Sequence, residues 1–295
     1  MIGKVVTTLA VIWLAATLAF FALHILPGDA IQGELLGSGA SADEIAQRRA
    51  ALGLDAPVLV QYENYLLGLL RGDLGVSLLN GQPVTEVIGE QLAPTVALAV
   101  TALLVATILG LGLGTLAALD IYGSRSARLV LDVALSAPIY WTGTLAIYIF
   151  AVRLNWLPSS GSTNLVLPAG VLGFSAAGGI GQVVRANVRE TLAFDFVRTA
   201  RAKGLSEARV IARHVLRASL LPAVTVIALQ AGFLLGGVVI TESLFIRPGI
   251  GRVLLNATLK QDYPVVQGIV VLGAVVYTLL NATADVAYRL LDPRV

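Results

Sequence analysis

The chain has no cysteine and, for its 295 residues, little charge. Without cysteine there is no disulfide-stapled scaffold and no zinc site built on four cysteines or on paired cysteines and histidines. Asp, Glu, Lys and Arg make up 13% of the residues, against roughly 25% in soluble globular domains. So little charge cannot cover a water-exposed surface. The two histidines, His24 and His214, are far apart and read as structural rather than as metal ligands. No Gly-x-x-x-x-Gly-Lys-Ser/Thr loop occurs, so this chain does not itself hold and hydrolyse ATP. Gly110-Leu-Gly-Leu-Gly114 is not a dinucleotide fingerprint, because it lies inside an apolar run and follows no strand. A net charge of +2 argues against nucleic acid as a partner. What is abundant is apolar: 57% of the residues are hydrophobic, and the mean hydropathy is +0.83. That excludes disorder and points to a chain that crosses a membrane several times.

A spanning helix needs about 20 mostly apolar residues. Six stretches qualify: 5–28, 92–119, 133–152, 165–184, 218–241 and 263–284. The first is too long for the apolar core of a signal peptide, so it is expected to be retained. Lys and Arg gather on the cytoplasmic side of membrane proteins. With a cytoplasmic N-terminus, the inside segments carry most of the basic residues, and an even span count places both termini inside. The sequence thus predicts an all-α membrane protein. Its parts are a first transmembrane helix (1–28), an external helical segment (29–91) and a five-helix core (92–295) with a cytoplasmic loop at 185–220.

The external segment is acidic. Within it, Ser41-Ala-Asp-Glu44 reads as a capping box that starts a short helix, ended by Gly53. Gln61–Leu70 is a second helix with Tyr62, Tyr65, Leu66 and Leu69 on one face.

The segment Arg185–Arg217 is the most informative. It holds eight Lys or Arg and three acids. Simple positive-inside bias, an anionic-lipid patch and a docking surface for a cytosolic partner all fit that charge. Local detail favours docking. Asp195–Lys203 has helical composition, Gly204 suits a left-handed helix end, and Ser206 can cap a second helix from Glu207 to Arg217. Pro222 then sits in the first turn of the next span. A lipid patch needs no such stop and restart.

Here the chain resembles a known family. Asp195-Phe-Val-Arg-Thr-Ala-Arg-Ala-Lys-Gly-Leu-Ser206, with Arg213-His-Val-Leu-Arg217 and Leu221-Pro-Ala-Val-Thr225, is similar to the signature loop of binding-protein-dependent ABC transporter permeases, in the dipeptide/oligopeptide/nickel branch. Further matches run along nearly the whole chain. They are His24-Ile-Leu-Pro-Gly-Asp29, Leu52-Gly-Leu-Asp55 with Gln61-Tyr62, Gly72-Asp-Leu-Gly-Val-Ser77, Arg247-Pro-Gly-Ile-Gly-Arg252, Asp262-Tyr-Pro-Val-Val-Gln267 and Leu291-Asp-Pro-Arg294. Arg198-Thr-Ala200 stands where the broader family has Glu-Ala-Ala, as is usual in this branch. The connection 154–164 is shorter than in many members.

The resemblance implies a type I ABC importer permease in the inner membrane of a prokaryote. It would pair with a homologous permease, two cytosolic ATPase subunits that bind ATP and Mg, and an external solute-binding protein. Asp195, Arg198, Thr199, Ala200, Arg201, Ala202, Lys203, Gly204, Leu205 and Ser206 would form the helix that couples to the ATPase. Small Ala200, Ala202 and Gly204 would let it enter a groove, with Arg201 and Lys203 pairing to acids at the rim. Peptides are the expected cargo, with nickel or a metal chelate as the alternative.

Tyr140 and Trp141, after Pro138, are candidates to line the path. Pro248, Gly249 and Gly251 are read as a tight turn at an external gate. Asp132, Arg153, Glu242 and Asp285 fall at predicted span ends, where they can reach water, and Glu242 and Asp285 are kept as pathway candidates. The span middles carry almost no charge, which argues against an ion-coupled transporter. An intramembrane enzyme lacks a catalytic constellation. A receptor or scaffold leaves the ordered set of motifs unexplained.

Overall fold

The computed structural model of the chain describes residues 2–25, 41–51, 53–161 and 164–291. Asp29, Leu52 and the terminal Asp292-Pro-Arg294 lie outside them, as does the side chain of Asp285. Among the described residues the regular elements are helices, beside one isolated bridge between Val76 and Pro83.

In chain order they are α1 (Ile2–Ile25), α2 (Ala42–Ala51), α3 (Val58–Leu70), α4 (Val84–Ala118), α5 (Ser124–Ser136) and α6 (Ile139–Ala146), which runs on as a π-helical turn, Ile147–Arg153. Then follow α7 (Val166–Leu192), α8 (Asp195–Ala202) and α9 (Glu207–Val210), which continues through a π-helical segment Ile211–Val215 into Leu216–Ser219. Last come α10 (Leu221–Leu244), α11 (Ile250–Leu259) and α12 (Tyr263–Leu291). Five helices are long and apolar enough to cross a bilayer, and the pair α5–α6 makes a sixth if its two parts count as one span.

The third predicted span, 133–152, is therefore not one straight helix. Its two parts meet at 114°. The cause is local: Pro138 has no N–H to continue a helix and disfavours the α conformation in the residue before it. Ala137 is accordingly extended, at φ −78° and ψ 129°.

Helix ends also run past the uncharged stretches. α4 begins at Val84 and includes Glu86 and Glu90; its 35 residues reach about 52 Å at 1.5 Å per residue, well beyond the roughly 30 Å of hydrocarbon. α7 runs through Arg185, Arg189 and Glu190 to Leu192. A charge-free run marks the part of a helix that hydrocarbon covers, not where its hydrogen bonding stops.

The chain divides into two compact units, 1–95 with 248–278, and 96–247 with 279–295. In the first, Leu23, Val84, Ile88, Ala257, Val265, Val266 and Ile269 form the core. In the second, one continuous cluster joins Leu98, Ala102 and Ala106 of α4 to Leu172, Ile180, Val184 and Val188 of α7 and to Leu234 and Val238 of α10. Glycines allow the close approach there. A Cβ on Gly114 would stand 2.6 Å from Gly181 O, and one on Gly178 would stand 2.7 Å from Leu135 N.

Candidate functional site

The predicted docking loop is a helix–turn–helix held on its own core. In α8, Val197 is fully buried and Ala200 nearly so, while Asp195, Phe196, Arg198, Thr199, Arg201 and Ala202 face outward. Val197, Ala200, Val210 and Val215 belong to the same apolar cluster as α4, α7 and α10. Burying a valine contributes about 1.5–3 kcal/mol, so the protrusion is fixed to the spans. Gly204 ends α8 in the left-handed region, at φ +77°, which a residue without a Cβ adopts freely.

Several details differ from expectation. Ala200 turns into the chain's own core, so its small size serves internal packing and it is not presented to a groove. Arg201 is paired within the loop: its Nε and Nη2 donate to the two Glu207 carboxylate oxygens at 2.7 and 3.1 Å. That fork bridges α8 to α9 across the Gly204 turn. Ser206 occupies the N-cap position of α9, but its side chain makes no cap hydrogen bond. Arg198 and Asp195 lie 3.6 Å apart on the exposed face, Thr199 Oγ1 donates to Asp195 O at 3.0 Å, and Leu205 packs against the core. Lys203 and Ser206 are exposed.

Sequence reasoning missed two aromatics. Phe194 and Phe196 are 46% and 43% exposed beside the basic residues, with ring centroids 5.9 Å apart. Two exposed rings on a charged protrusion were visible in Phe194-Asp-Phe196, had aromatics been weighed as interface anchors.

The other motifs converge in pairs. Ser77 Oγ donates to Asp262 Oδ2, and Leu78 N donates to Asp262 Oδ1 at 3.0 Å. Two segments far apart in sequence are thus joined at a buried carboxylate. Gln61 Nε2 donates to Leu54 O and Ala56 O at 3.1 and 2.8 Å, while its Oε1 lies 3.3 Å from His24 Nε2. His24 also has Nδ1 2.8 Å from Phe20 O and stacks on that ring, a structural role. Phe20, His24 and Gln61 border a cavity of about 250 Å³ that Tyr65, Asp73, Tyr263 and Gln267 also line. The capping box forms as predicted: Ser41 N donates to Glu44 Oε2 at 2.8 Å and Glu44 N to Ser41 Oγ at 3.3 Å. The Ser41 backbone N–H and then its hydroxyl hold the Glu44 carboxyl below its ordinary value.

The pathway candidates are placed differently from one another. Tyr140 and Trp141 are exposed in the first turn of α6. Glu242 is not at a wetted helix end; it is fully buried near the end of α10. The tight turn sits before the glycines, where Arg247 N donates to Glu242 O at 2.9 Å and Ile246 takes φ +48°. Arg247, also buried, donates from Nη1 to Asn164 O at 2.9 Å. Pro248 is half-buried, Gly249 and Gly251 are buried, and Gly249 is extended at φ 163°. Ile250 N, opening α11, donates to Thr95 Oγ1 at 2.8 Å. Among the described residues no group of three His, Cys, Asp or Glu is placed to hold a metal.

The binding-protein-dependent transport system inner membrane component family matches residues 110–295, and the N-terminal part of such components matches residues 1–99. The chain belongs to this family. The permease is 36% identical over 300 residues to the glutathione transport system permease protein GsiC of Salmonella choleraesuis, covering 100% of this chain and 96% of that protein. It is 34% identical over 299 residues to the Escherichia coli K12 protein of the same name, covering 100% and 97%. Among solved structures, the MetNI methionine ABC transporter in an inward-facing conformation superposes with a TM-score of 0.60 at 17% identity, over 69% of the permease and 95% of that chain. An amino acid ABC transporter with histidines gives 0.53 at 14% identity, over 72% and 95%. The permease therefore has the type I ABC importer fold and is a multi-pass membrane protein for transport.

Proposed function

We propose that the chain is one of two permease subunits of an ATP-driven peptide importer, and that the protrusion formed by α8 and the start of α9 is where a cytosolic ATPase subunit pushes. The observation that carries this reading is the unbroken apolar cluster from Val197, Ala200, Val210 and Val215 to α4, α7 and α10. A force on α8 moves packed helices rather than a loose loop. Rigid-body rearrangement of packed elements is how such bundles switch between states, and a nucleotide drives the switch only if it favours one state.

The contact surface consists of Phe194 and Phe196 as apolar anchors, Lys203 and Arg198 as the charges, and Ala202 and Gly204 as the small residues between them. Arg201 keeps the turn rigid through Glu207. The partner is accordingly a cleft with apolar depth and an acidic rim. A homologous permease completes the path, and an external binding protein delivers cargo. ATP and Mg belong to the ATPase subunits. Both termini and the protrusion face the cytoplasm of a prokaryotic inner membrane, and α2–α3 lie outside. The glutathione permeases among the relatives favour a small peptide as cargo, since glutathione is itself a peptide.

Co-purification tests the coupling site. The unmutated chain, expressed with its ATPase subunits, retains them. Phe194→Ala, Phe196→Ala and Lys203→Glu together release them without loss of the folded permease in the membrane. Retention of the ATPase by the triple variant contradicts the assignment.

A further inference from the structure

Charge is so sparse on the spanning helices that each polar side chain there is informative. On α7, Ser175, Gly179, Gln182 and Ala186 follow one another at i, i+4, i+7 and i+11. On a helix of 3.6 residues per turn they share a face about 60° wide and about 16 Å long. None of the four is buried. Polar side chains from the helices on either side of α7 lie over this face. From α5, Asp132 Oδ1 accepts from Gln182 Nε2 at 2.6 Å. From α10, Gln230 Nε2 donates to Ala176 O at 2.9 Å, and a Cβ on Gly179 would stand 2.8 Å from that same nitrogen. Gln182 Oε1 accepts from Arg185 Nη1 at 3.4 Å, so one amide separates a carboxylate from a guanidinium.

Asp132 is exposed about 12 Å into α5, and Gln182 lies about 15 Å before the end of α7. At the edge of the spanning stretch the exposed Asp132 carboxylate reaches water, and its hydrogen bond to Gln182 carries that wetted edge onto this face of α7. Two carboxamides, each able to donate and accept, suit peptide groups without choosing among side chains. Asp132 suits a free ammonium group. Lys and Arg are absent from the strip itself; only Arg185 borders it.

We propose that this strip is a wetted track for cargo, in which Gln182 and Gln230 pair with peptide N–H and C=O groups and Asp132 holds the cargo ammonium. The proposal rests on the importer reading and names the residues of its path. Because this chain has no cysteine, a single introduced cysteine is its one thiol, and labelling is read on this subunit after it is separated from its partners. In proteoliposomes, Ser175→Cys and Ala186→Cys react with a charged methanethiosulfonate, as does the loop control Ser159→Cys. Reaction of the control alone overturns the track. Asp132→Asn slows uptake of a free dipeptide about tenfold, the size of one lost charge-assisted hydrogen bond. ATPase stimulation by the loaded binding protein stays intact, and Asp132→Glu recovers most of the uptake. Unchanged uptake in Asp132→Asn, or an equal loss of ATPase stimulation, overturns the ammonium role. If the unmutated complex takes up no dipeptide, the peptide-importer reading fails, while the labelling still decides the track.

Discussion

Asp262 shows how one side chain can set a local fold. Its two carboxylate oxygens accept from Ser77 Oγ and Leu78 N, and it is 3% exposed. Asp262→Ala leaves two buried donors without acceptors, each costing about 1–3 kcal/mol. The expected outcome is a loss of about 3 kcal/mol, read as a lower Tm of the purified complex. Ser77→Ala should cost less and should add little in the double variant, because the two residues share one bond. Tyr65 behaves in the opposite way. Its hydroxyl is buried without a hydrogen-bond partner among the described residues, and burial, with a smaller contribution from Tyr62, pushes its pKa up from 10.0 to about 12. The folded chain therefore favours the neutral phenol. That contribution to stability is complete below pH 10 and is lost as pH rises towards 12. Phenolate absorbance in Tyr65→Phe should lack the last ionisation step near pH 12, and the variant should fold as well as the parent. A surviving step in that range would show that Tyr65 is not its source.

Helix–helix contact rests on where glycine sits, and the sequence showed the glycines without showing which of them face a neighbour. In Gly110-Leu-Gly-Leu-Gly114, Gly110 and Gly114 press on α7, while a Cβ added to Gly112 would meet nothing within 4 Å. Gly114→Val should strongly reduce the amount of folded chain in the membrane, because overpacking against backbone costs about 1–3 kcal/mol or more. Gly112→Val should leave it near normal. Gly204 differs again: it has open space around it but a positive φ. Gly204→Ala should cost only about 1–2 kcal/mol and should weaken ATPase co-purification by changing the angle of the turn. The capping box at Ser41, the α3 face at Tyr62 and Tyr65, and the stop at Gly204 were legible because each depends on a few adjacent residues. The bend at Pro138 was readable only in part, since a proline marks a break but does not set its angle. The inward turn of Ala200, the burial of Glu242 and the Ser77–Asp262 bond depend on tertiary packing, which no local pattern carries.

At the scale of the whole molecule, sparse charge is sorted charge. Basic residues concentrate between Arg185 and Arg217, and acids concentrate before α4. The buried faces of α8 and α9 tie the basic segment to the spanning helices α4, α7 and α10. Replacing Val197 with Asp should therefore uncouple transport from ATP hydrolysis: a charge in the shared core loosens α8 while the spans remain inserted. Comparing ATPase rate with uptake in that variant checks this, and equal loss of both contradicts it. The most direct test of the central claim is peptide uptake by proteoliposomes that hold the complete complex, with ATP enclosed and loaded binding protein outside. Labelled peptide should accumulate only when both the enclosed ATP and the binding protein are present. Accumulation driven by an ion gradient without ATP, or none with every subunit present, would contradict it.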